Sequence, residues 1–93
     1  TTSNKENLNE ENAITLLQHH CVATMKKPPV YKDIFGEEKK YYCLCVLSDG
    51  SCSIKGDGHM KKKDAKKSAA LKMCDFLIKR DGFILVPGSF ALS

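Results

Sequence analysis

Apolar positions fall on two helical faces, with three extended runs between them. Over residues 10–25, Ile14, Leu17 and Cys21 recur at three- and four-residue steps with Ala13 and Leu16 beside them. The spacing predicts a helix, and Glu10 and Glu11 stand where a helix start favours anions. Lys26-Lys27-Pro28-Pro29 stops it, because proline lacks an amide donor and pushes its predecessor out of the helical region. Val30 to Phe35 reads as a short strand and Gly36-Glu37-Glu38 as the turn behind it. Residues 40–47, Lys-Tyr-Tyr-Cys-Leu-Cys-Val-Leu, form the strongest strand pattern and are apolar on both faces. Asp49-Gly50 supplies the positive φ of a tight hairpin, so residues 51–55 return antiparallel, and Gly56-Asp57-Gly58 closes the sheet. Over residues 61–79 no glycine or proline intervenes, and Ala65, Ala69, Ala70, Met73, Cys74, Leu77 and Ile78 trace the face of a second, longer helix.

The order helix, strand, strand, strand, helix predicts an α+β fold, with both helices packed on one face of a three-stranded antiparallel sheet and the other face open. The organised unit is expected over residues 10–80. Residues 1–9 read as a polar leader or the end of a linker. Residues 81–93 form an apolar tail that either packs on the domain or frays, or else serves as a docking strand for a neighbouring domain or partner. Period-two alternation is taken to point Tyr42, Leu44 and Val46 at the helices. It then leaves Tyr41, Cys43, Cys45 and Leu47 on the open face, a stripe apolar enough to be expected as a protein or homodimer interface.

Charge changes the picture at one place. The chain of 93 residues carries a formal net charge of +4, and residues 55–67 hold six lysines against Asp57 and Asp64, which is the same net charge. Lys61, Lys62, Lys63, Lys66 and Lys67 crowd the expected start of the second helix. Cations are unfavourable there, since the free N–H groups of a helix start already carry positive potential, unless an external anion sits at that end. Phosphate is the natural candidate.

Lys62-Lys63-Asp64-Ala65-Lys66-Lys67-Ser68-Ala69-Ala70, Gly56-x-Gly58, Ile14-Thr15-Leu16-Leu17-Gln18 and Pro29-Val30-Tyr31 together resemble the double-stranded RNA-binding domain family, over roughly residues 13–80. The resemblance implies a sequence-tolerant, non-catalytic reader of A-form RNA, excised from a larger silencing, processing, editing or antiviral protein. In that reading Lys62, Lys63 and Lys66, flanked by Lys61 and Lys67, grip phosphates bordering the major groove. Gln18, Thr15 and His19 of the first helix address 2′-hydroxyls in a minor groove. Three departures bear on it. His19 stands where the family has glutamate. The turn at residues 36–40 is short and acidic, with only Lys39 and Lys40 to attract phosphate. The Gly58-to-Lys62 spacing is one residue longer than usual. They imply one minor-groove contact rather than two. A domain of the same fold working mainly as a protein-interaction module is the alternative.

Other classes are disfavoured. Five cysteines and no secretory cue suggest reduced thiols and an intracellular, cytoplasmic or nuclear setting. Cys43-x-Cys45, Cys52, His19 and His20 lack the paired Cys-x-x-Cys knuckles of a zinc site. No cofactor, metal or small-molecule substrate is expected. His19, His20 and His59 have no nucleophile or carboxylate at a recognisable spacing, so catalysis is not expected. No run reaches the roughly 18 apolar residues of a membrane span.

Overall fold

The structure, a computed structural model, describes residues 2–3, 11–82 and 84–85. In chain order these form β1 (Thr2–Ser3), α1 (Ala13–Met25), β2 (Val30–Phe35), a 3-10 turn (Glu37–Lys39), β3 (Tyr41–Val46), β4 (Ser53–Lys55), α2 (Lys62–Asp81) and β5 (Ile84–Leu85). The sheet runs β2-β3-β4, antiparallel throughout, and both helices pack on one of its faces, the α+β arrangement expected from the apolar pattern.

Local chemistry sets each boundary. α1 opens when the Asn12 carbonyl accepts from the Leu16 N–H at 2.9 Å, three residues later than the sequence spacing suggests. It ends at Lys26, whose left-handed backbone (φ 65°) lets its N–H reach the Val22 carbonyl just before the two prolines. In the β3–β4 hairpin the Gly50 N–H donates to the Leu47 carbonyl at 2.9 Å, with Gly50 at φ 77°. The Asp49 carboxylate accepts from the Ser51 N–H at 2.9 Å. α2 ends at left-handed Gly82, with Lys79 and Arg80 in its last turn, where cations suit the helix dipole.

Ala13, Leu16, Leu17 and Cys21 of α1 meet Ala65, Ala69, Ala70, Met73, Cys74 and Leu77 of α2 above Cys43, Cys45 and Leu47. This corrects the strand phase read from the sequence. Cys43, Cys45 and Leu47 are fully buried beneath the helices, and Tyr41 is partly buried on the same face, so none of the four belongs to an open-face stripe. Tyr42, Leu44 and Val46 look outward instead, alongside Val30, Lys32 and Ile34 of β2 and Ser53 and Lys55 of β4. Small thiols allow close helix approach, whereas Lys32 and Lys55 require the face that touches water.

At the ends, Thr2–Ser3 pairs antiparallel with Ile84–Leu85. Ile84 is fully buried in the core, so the described part of the tail packs on the domain. The remainder of the leader and of the tail lies outside the described residues.

Candidate nucleic-acid interface

α2 is held against the sheet end by a close approach at Gly56. A β-carbon there would lie 2.5 Å from the Ala69 backbone nitrogen and 2.9 Å from its Cα, so only glycine lets the chain pass this close. One residue on, the Asp57 N–H donates to the buried Ser68 hydroxyl at 2.9 Å, and the Asp57 carboxylate meets Lys72 Nζ at 2.9 Å. That ammonium, reinforced by the hydrogen bond, holds the Asp57 carboxyl below its ordinary range. The loop is thereby fixed to the second and third turns of α2, just past the lysines of its first turns.

Of those lysines, Lys61, Lys62 and Lys63 are exposed, while Lys66 and Lys67 are half-buried along their stems. Lys62 and Lys66, one turn apart, carry their ammonium groups 5.6 Å from the Tyr41 ring centre and 4.6 Å from the Tyr31 ring centre. Lys67 turns to the other side and meets Glu11 at 3.5 Å. Among the described residues, Lys61, Lys62, Lys63 and Lys66 make no ion pair. Lys61 forms no side-chain cap at the head of α2, and Asp64 is the sole acid in its first turn.

Core packing of α1 on α2 sets α1 beside this row, and Glu11, one turn before Thr15, meets Lys67 across the gap. On the outward side of α1, Thr15, Gln18, His19 and Val22 line a shallow open depression. The structure thus brings together the three α1 residues singled out from the sequence and adds Val22. The four stand at i, i+3, i+4 and i+7, so helical spacing puts them on one face, and Val22 is not among the residues singled out from the sequence.

The β2–β3 connection is a single tight turn closed by the Gly36 N–H on the Lys40 carbonyl at 2.8 Å. Glu38 (φ 63°) and Lys39 (φ 59°) both adopt left-handed backbone, which side chains other than glycine take at a cost. Lys39 is exposed, whereas Lys40 lies 3.9 Å from Glu38, so the acidic turn offsets part of its own positive charge.

The thiols are elsewhere. Cys21, Cys43, Cys45 and Cys74 are buried, and burial raises all four, Cys21 to about 11 and Cys45 and Cys74 to about 12. Among the described residues no group of three or more His, Cys, Asp and Glu is placed to hold a metal. No helix of the described residues is long and apolar enough to cross a membrane.

Comparison with curated proteins finds no match. A family model described as the double-stranded RNA binding motif matches residues 13–77, from the first residue of α1 into the last turns of α2. This span takes in both helices, the whole three-stranded sheet and the lysine row, and the chain belongs to the double-stranded RNA-binding motif family.

Proposed function

We propose that this domain is a non-catalytic reader of double-stranded RNA, recognising A-form shape, phosphates and 2′-hydroxyls. It would serve as one module of a larger intracellular RNA-silencing, processing, editing or antiviral protein. The observation that carries the reading is the set of four ammonium groups, Lys61, Lys62, Lys63 and Lys66, without carboxylate partners among the described residues, at the head of α2. An A-form major groove is too deep and narrow for side chains to read, but its bordering phosphates are accessible to such a row. Thr15, Gln18 and His19 then face a minor groove, where hydroxyl, amide and imidazole groups exchange hydrogen bonds with 2′-hydroxyls. The tight β2–β3 turn, with Glu37 and Glu38 exposed, argues for one minor-groove contact instead of two.

The test is titration of a blunt RNA duplex of about 20 base pairs at two salt concentrations, with duplex DNA of the same sequence as control. The protein is compared with Lys62→Ala/Lys63→Ala/Lys66→Ala. Binding selective for RNA, lost in the triple variant with a salt slope lower by about 3, is the expected result. Absence of binding at low salt refutes the reading.

A second reading, a protein-interaction or homodimerisation module, is favoured by the open sheet face as the structure defines it. Val30 and Ile34 are 48% and 37% exposed beside half-buried Leu44 and Val46. It predicts a concentration-dependent dimer in sedimentation that Ile34→Asp dissociates.

A further inference from the structure

Phe35, at the end of β2, is 63% exposed although it is a large aromatic residue. It lies across the strand pair from Tyr41, with ring centres 5.1 Å apart and planes inclined by 58°, so one side of the Phe35 ring is braced. Asp33, Phe35, Tyr41 and Lys62 line an open depression here, directly beside the lysine row. Tyr41 is held from its other side by two backbone hydrogen bonds with His59, at 2.7 and 2.9 Å, which makes the floor rigid.

We propose that this depression receives an unpaired nucleotide of the bound RNA, its base stacked on Phe35. The inference rests on the duplex-binding reading and extends it to interrupted duplexes. A lone surface phenylalanine needs no explanation, but this one shares its depression with both a cation and a carboxylate. Lys62 Nζ, 5.6 Å from the Tyr41 ring centre, is placed for the phosphate of such a nucleotide. Asp33 makes no ion pair among the described residues and repels phosphate, so it turns the base edge inward and the phosphate outward. A continuous A-form helix offers no free base to this aromatic surface, whereas a bulge or an overhang does. Charge complementarity selects RNA over an apolar peptide as occupant, because Lys63 and Lys66, which like Lys62 make no ion pair among the described residues, continue the row along α2.

The proposal is tested by measuring the affinity of the protein for three RNAs at one salt concentration. These are a blunt duplex of about 20 base pairs, the same duplex with one central bulged adenosine, and the same duplex with a 3′ overhang. Phe35→Ala and Phe35→Leu are measured in parallel, the second keeping apolar bulk without an aromatic face. The expected result is about five- to tenfold tighter binding of the bulged or the overhung duplex than of the blunt one, the stronger of the two identifying the source of the nucleotide. Both variants should then bind all three RNAs at the blunt level. Equal affinity for the three RNAs, or a loss in Phe35→Leu that is the same for all of them, overturns the proposal while leaving duplex binding intact. No binding of any RNA overturns both.

Discussion

The ammonium of Lys66 lies 4.6 Å from the centre of the Tyr31 ring, over an aromatic residue that packs against the core. One side chain of the lysine row is therefore braced by the sheet, and its charge is steadied without being cancelled, since a ring face attracts a cation but carries no net charge. Lys66→Ala should lower duplex RNA affinity and reduce the slope of log K against log salt by about 1, with stability falling by no more than about 1 kcal/mol. Lys67→Ala should change the slope less, because Glu11 already offsets that charge. Anisotropy titrations at several salt concentrations and urea unfolding check both.

The contact at Gly56 makes a sharper demand than the turn at Gly50. Gly56→Ala should destabilise by about 2–3 kcal/mol, since the methyl group meets the backbone of Ala69, which cannot yield as a side chain does. Gly50→Ala should cost only about 1 kcal/mol, for its β-carbon meets open space and only the left-handed backbone resists it. Urea midpoints of the two variants compare them directly.

Thiol reactivity should divide one against four. Burial holds Cys21, Cys43, Cys45 and Cys74 as inaccessible thiols, with Cys45 and Cys74 at about 12, while Cys52 is half-exposed. Titration of native protein at pH 8 with an aromatic disulfide reagent should show one fast equivalent, and all five only in denaturant. Five fast equivalents in native protein would contradict the packing.

His20 is buried at the inner face of α1, and desolvation lowers its pKa, with Asp81 opposing in part. Its folded value lies below its unfolded value, so the unfolded chain takes up the proton first. Stability from this group is thus complete above about pH 6.5 and declines as the pH falls below it. His20→Gln should flatten that part of the curve while lowering stability at pH 8, as read from thermal midpoints between pH 5 and 8.

In the β2–β3 turn, Glu38→Gly should remove backbone strain and raise stability by up to about 1 kcal/mol. The same change deletes the carboxylate 3.9 Å from Lys40, so duplex RNA affinity should rise as well. Thermal melts and RNA titration of this one variant test both effects, and a fall in either contradicts the account.

Most of this architecture could be read from residue pattern because the two helices and the Asp49-Gly50 turn are specified by strong local rules. The phase of β3 could not be read from the strand itself. Tyr41 to Leu47 are apolar at every position, so alternation carries no contrast between faces. The missing information lay in the neighbour: with the turn closed by the Leu47–Cys52 hydrogen bond, Lys55 falls opposite Leu44, and a lysine cannot face the core. Counting the register outward from Gly50 would have turned Cys43 and Cys45 inward. Thr15, Gln18 and His19 are singled out through the family resemblance, and the structure adds only that they line one depression on α1. The Phe35 depression was not legible, because Asp33, Phe35, Tyr41 and Lys62 become neighbours only once β2, β3 and α2 are assembled.

The ammonium groups at the head of α2 that make no ion pair among the described residues have a thermodynamic corollary. In the free domain they repel one another and the positive helix end, and dissolved salt screens that repulsion, so moderate salt should firm the fold. Salt also competes for the phosphates, so it should loosen the complex. Folding and recognition thus respond to ionic strength with opposite signs. On the proposed reading the domain is electrostatically most uncomfortable under the conditions in which it holds RNA most tightly, and the polyanion supplies the counter-charge that the described residues around the lysine row do not.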